Sequence, residues 1–184
     1  MPDFETAFRQ SIREHLVTNR DKIRAVWARL DEAHVWHRAN DGSLTPANQL
    51  IHLGGNLRQY VLAALAGQVD VRTRQAEFDA RGGIGKDRLL ADFEGVLAEV
   101  LRVLEQPVDP TRRLRIQGQD FDPVAVWVHV TEHLSYHTGQ LVAFAKALDG
   151  RPFDFYADWA LDATGHEDHG GDTKRTKEGG RVAP

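Results

Sequence analysis

The chain contains no cysteine, so it forms no disulfide and offers no thiolate of its own as nucleophile or metal ligand. Any metal it holds must rest on His, Asp, Glu or water, and a thiol taking part in its chemistry must arrive as a substrate. Long apolar runs are missing too. No stretch approaches the roughly 18 uncharged residues of a membrane span, and the opening Met1-Pro2-Asp3-Phe4-Glu5-Thr6 is not a basic segment followed by an apolar one. A soluble, cytoplasmic protein without membrane contact is the expectation. An excess of positive charge is also lacking: 23 Lys and Arg stand against 27 Asp and Glu, a formal charge of -4. That balance supplies no field to gather nucleic acid.

What is present is globular. Over 184 residues, 41% are hydrophobic and 27% charged, enough for one domain with a real core and too few for two comfortable ones. Phe8, Ile12, Leu16, Ile23, Val26, Trp27 and Leu30 recur three or four apart, which predicts a first helix over residues 4–33. Thr45 followed by Pro46 is a cap with proline at the first helical position, and a second helix runs from there to residue 66, stopping at Gly67. Residues 68–86 have no sustained period and read as a long loop, with a turn of helix around Glu77 and Phe78; a loop of this length in a compact domain is often functional.

A third helix over residues 89–104 has the clearest amphipathic pattern, closed by Pro107. Residues 108–121 are polar and irregular. Asp122 with Pro123 repeats the cap-and-proline signature and opens a fourth helix over 123–148, ending on Gly150. Phe153, Phe155, Tyr156, Trp159 and Leu161 follow and are expected to pack across the end of the bundle. Residues 165–184 are too polar to offset chain entropy and are expected to be a disordered tail after a domain spanning 1–164. Four long helices and no convincing strand pattern predict an all-α four-helix bundle.

The fourth helix carries His129, His133 and His137 at four-residue spacing, with Thr138-Gly139-Gln140 directly after. Side chains at i and i+4 are neighbours about 6 Å apart, close enough for two imidazoles to share one ion. At ~100° per residue, His137 falls inside the apolar arc of Val126, Val130, Leu134, Leu141, Phe144 and Leu148; His133 lies at its edge and His129 further round, toward Tyr136 and Gln140. One inward histidine is ordinarily a hydrogen-bonded core residue. Two adjacent ones would each need a separate partner and would repel on protonation, whereas one shared cation satisfies both.

A third ligand must come from elsewhere. His15, His34, His37 and His52 are the candidates in the domain, and His34 and His37 read as surface or interface residues beside Trp36. His52 sits mid-helix, roughly 80° beyond its apolar arc, on a face with Asn48, Asn56 and Gln59 that suits the lining of a wet cleft. Gly54 and Gly55 follow it. Mid-helix glycines cost on the order of 1 kcal/mol each relative to alanine, and are tolerated where a neighbouring helix or a ligand comes close. His129-Val-Thr-Glu132-His133 is also a literal H-x-x-E-H, the inverted zinc-peptidase signature; five residues are a weak match, and Glu132 reads more naturally as a solvated side chain or a partner to a ligand histidine.

His133 and His137 leading into Gly139-Gln140, together with the segments His52-Leu-Gly-Gly-Asn-Leu-Arg-Gln-Tyr60 and Arg72-Thr-Arg-Gln-Ala-Glu77-Phe78, make residues 4–150 resemble the DinB-like (DinB/YfiT) superfamily. The resemblance implies a four-helix bundle, often a homodimer, with a divalent metal on one histidine of the second helix and two of the fourth. Carried over, these are His52, His133 and His137, with His129 auxiliary. It further implies a metal-dependent transferase or isomerase that uses a small thiol of the bacillithiol, mycothiol or glutathione type on a small-molecule substrate. Tyr136 and Gln140 would then meet an electrophile, and Arg72 and Arg74 a carboxylate of the thiol or only solvent. A non-catalytic, stress-related metal-binding bundle and a metal-dependent hydrolase stand as alternatives. Three imidazoles suit zinc, nickel, copper and iron alike, and no residue is singled out as catalytic.

Overall fold

Asp3, Asp31, Thr45 and Asp122 each accept a backbone N–H at the start of a helix, and these caps set the boundaries in the computed structural model, which describes residues 3–159 and 161. The elements are α1 (Phe4–Arg29), α2 (Glu32–Val35), α3 (Pro46–Leu57) running on as a π-helical stretch (Arg58–Ala63), α4 (Arg74–Asp79), α5 (Lys86–Leu104), a hairpin of β1 (Leu114–Ile116) and β2 (Gln119–Phe121), and α6 (Pro123–Asp149). α1, α3, α5 and α6 form the bundle. α1 packs chiefly on α6, and α3 on α5 and α6, around a core that includes Leu16, Ile23, Trp27, Leu50, Leu57, Leu97, Leu134 and Leu141. The helices agree with the expected all-α bundle. No helix among the described residues is long and apolar enough to cross a membrane, and the expected tail, 165–184, lies outside those residues.

Three local features differ from the sequence reading. The first helix ends at Arg29 rather than residue 33, because Leu30 turns extended and Asp31 caps a new short helix through a 2.8 Å bond from the His34 N–H. Beyond Leu57 the second long helix changes hydrogen bonding: Ala66 N–H donates to Val61 O at 2.9 Å, five residues back. Residues 114–121 are not irregular. Gln117 and Gly118, with φ of 51° and 79°, make a two-residue turn that pairs Ile116 with Gln119 and Leu114 with Phe121. The signal was the Gln-Gly dipeptide between alternating apolar residues, weak because glutamine is a less usual first residue for such a turn than asparagine.

Candidate metal centre

α3 and α6 cross so that His52 meets His133 and His137. One nitrogen from each of the three lies within 4.8 Å of the others, and the ring centroids are 4.7–5.2 Å apart. His52 and His137 are buried and His133 half-buried. His52 Nε2 and His133 Nε2 are 3.1 Å apart. Two nitrogens each 2.0–2.1 Å from one ion would be separated by about 3.0 Å in octahedral and about 3.4 Å in tetrahedral geometry, so the pair fits a shared divalent cation as it stands. His133 Nδ1 and His137 Nδ1 are buried without a hydrogen-bond partner among the described residues. For His133 the unmet Nδ1 is the nitrogen opposite the one that faces His52, and neutral imidazoles are suitable donors for a borderline cation.

The His133 and His137 rings stay unprotonated through the ordinary pH range for a physical reason. Burial lowers the pKa of His133 to about 3, helped by His137, His52 and the other nearby positive groups. Burial, then the His52 charge, lowers that of His137 to about 4.

The segment between the second and third long helices supplies what orients His52. Glu77, buried on α4, takes the His52 Nδ1–H at 2.8 Å; a carboxylate only accepts, and this shorter contact outweighs the 3.2 Å approach of Arg72 Nη2 to the same nitrogen, which assigns the proton to Nδ1 and turns the Nε2 lone pair to His133. Arg72 grips the same carboxylate through Nε at 2.7 Å and Nη2 at 2.9 Å, and its Nη1 donates to Gln59 Oε1 at 2.9 Å. Burial alone would raise the Glu77 carboxyl, but the bonds from Arg72 and His52 outweigh it and hold the pKa below the usual carboxylate range. Asn48 pins the strap by donating to Glu77 O and Ala80 O at 2.8 and 3.0 Å. Phe78 packs on the His52 ring at 4.9 Å, and the Arg74 guanidinium lies over the Phe78 ring at 4.6 Å.

Several sequence expectations change here. The polar face of His52, Asn48 and Asn56 is buried rather than wet, because the strap covers Asn48 and His52 while Asn56 faces His129 of α6. Arg72 is neither solvated nor free for a cofactor: its side chain is 3% exposed and its donors are committed to Glu77 and Gln59. Of the two glycines, Gly55 has a steric cause, since a Cβ there would stand 2.0 Å from Glu77 Oε1, whereas Gly54 has nothing within 4 Å. The inverted-peptidase arrangement is not formed. His129 stacks on Tyr60 at 4.2 Å with Nε2 facing Asn56 at 3.4 Å, outside the cluster, and Glu132 is exposed. His15 and His37 are exposed, and His34 pairs with Asp31, so none reaches the site.

Sequence reasoning placed Glu77 on a turn of helix but missed its role. The available signal was a face of α3 carrying Asn48, His52 and Asn56 at four-residue spacing, polar groups that require partners once covered.

The family described as "Protein of unknown function (DUF1572)" matches residues 3–157. No curated protein matches the chain. Among solved structures, the chain is similar to a DinB-like protein, YjoA, from Bacillus subtilis, with a TM-score of 0.58 and 15% identity over 78% of this chain and 96% of that one. At that identity the likeness concerns the fold.

Proposed function

Because the chain belongs to the DUF1572 family and has the DinB-like fold, we propose that His52, His133 and His137 bind one divalent ion of the zinc, nickel or iron type, and that the protein transfers a low-molecular-weight thiol of the bacillithiol, mycothiol or glutathione class to a small electrophile. The convergence of three imidazole nitrogens from two helices within 4.8 Å carries the metal reading. Such an ion, on three neutral ligands, would supply Lewis acidity at open positions and lower the pKa of a thiol toward neutrality. His133, half-exposed, gives the site its approach from solvent. Tyr136, exposed with its ring set edge-on to His137 at 5.1 Å, and half-buried Gln140 one turn on are the donors available to an electrophile. Glu77, held on both oxygens by Arg72, is not free to serve as a hydrolytic base, which favours transfer over hydrolysis.

A second reading, a metal-binding bundle without turnover, is favoured by one observation. Two clefts of about 600 and about 530 Å³ are lined by none of the three histidines. Metal content and turnover separate the readings. Chelated and reloaded protein is expected to hold one zinc per chain; alanine at His52, His133 or His137 should abolish most of it, at His129 less, and at His34 or His37 none. Full occupancy in His52→Ala would refute the site. Full occupancy with no consumption of any of the three thiols by a generic electrophile would leave the binding bundle.

A further inference from the structure

Arg72 and Glu77 lie outside the triad, yet they form the most densely bonded polar group in the described chain. They join His52 to a segment of the chain that has little other reason to lie where it does. Residues 68–73 have no helix or strand, α4 is only six residues long, and Val69, Val71 and Arg74 are exposed. Apart from Phe78 against the His52 ring, what fastens this strap to α3 and the π-helical stretch is polar: Arg72 to Gln59, Glu77 to His52, and the two Asn48 bonds. Gly55 is the complement of that arrangement, since a methyl group at this one position would occupy the space of the Glu77 carboxylate. A bond from His52 Nδ1 to a fixed carboxylate leaves the opposite nitrogen as the lone pair and limits rotation of the ring, the two things a ligand histidine requires.

We propose that the Arg72–Glu77 pair is the positioning element of the metal centre, and that through it the strap and the ion are thermodynamically coupled. This rests on the metal reading above. Ordering His52 for the ion also favours the docked strap, and a docked strap raises the affinity for the ion by the same factor, because linkage is reciprocal. The strap also walls the cleft of about 600 Å³ on its far side, where Arg72, Thr73, Ala76 and Glu77 form part of the lining.

The neighbouring glycines give the test. Alanine at either raises helix propensity equally, but only at position 55 does it displace Glu77. In the full chain, zinc affinity is measured by chelator competition, the protonated nitrogen of His52 by nitrogen NMR, and protection of the α4 amides by hydrogen exchange with and without zinc. Gly54→Ala should match the wild type in all three. Gly55→Ala should lose about tenfold or more in zinc affinity, lose the Nδ1–H signature, and lose the zinc-dependent protection of α4. Glu77→Gln, which keeps the shape without the charge, should also bind zinc more weakly, and it decides the matter if Gly55→Ala does not fold. Zinc affinities of Gly55→Ala and Glu77→Gln equal to that of Gly54→Ala overturn the positioning role alone. A wild type that binds no zinc overturns both this and the metal reading.

Discussion

At the scale of single residues, burial holds His133 and His137 neutral, and this sets the acid behaviour of the metal-free protein. Their folded pKa values, about 3 and about 4, lie below the 6.5 of an exposed imidazole. As pH falls below about 6.5 the unfolded chain takes up protons that the folded one refuses, so stability drops, the His137 share until about pH 4 and the His133 share until about pH 3. Glu77 acts in the same direction, since its lowered pKa gives stability that is lost when it protonates. The melting temperature of chelated protein should therefore fall steadily from pH 7 to pH 5. In His133→Gln that slope should be visibly shallower, and an unchanged slope would show that the ring is not held neutral by the fold. Histidine spacing alone singled out His133 and His137 as an inward pair, because a helix wheel depends only on local geometry. Arg72 and Glu77 were not legible as a unit, because their meaning comes from a partner twenty to twenty-five positions away.

At the scale of elements, the caps were the most readable signals and are also the simplest to test. Asp122 accepts the Ala125 N–H at 2.8 Å and Pro123 follows it, a combination that needs nothing beyond four consecutive residues. Asp122→Ala should cost about 1 kcal/mol in denaturant titrations while leaving zinc content intact, since His133 is three turns further along α6. The π-helical stretch could not be read in this way. Its residues, Arg58–Ala63, fit an ordinary helical wheel, and the altered hydrogen bonding accompanies packing by Tyr60 against His129 on one side and Phe121 of the hairpin on another. The strap was legible as a long loop with a helical turn but not as a cover, because periodicity reports which face of a helix is polar and not what lies over it.

At the scale of the whole molecule, the four-helix architecture followed from apolar periodicity, and the expected partner is a second copy of the chain. Trp36 and Phe155 are half-buried, the former donating its indole N–H to Ile84 O at 3.0 Å. Tyr156 and Trp159 are exposed. Light scattering at micromolar concentration should give twice the 20.7 kDa of one chain, and a mass of one chain would end the dimer expectation. The distance along the chain between the two halves of the centre bears on when it can exist at all. His52 and His133 are 81 residues apart, which at typical synthesis rates is roughly 4–16 s of translation. During that interval α3 is made and its histidine has no counterpart, so an ion of the kind proposed would have no complete site until α6 is synthesised, and a nascent chain halted before His133 should retain no zinc.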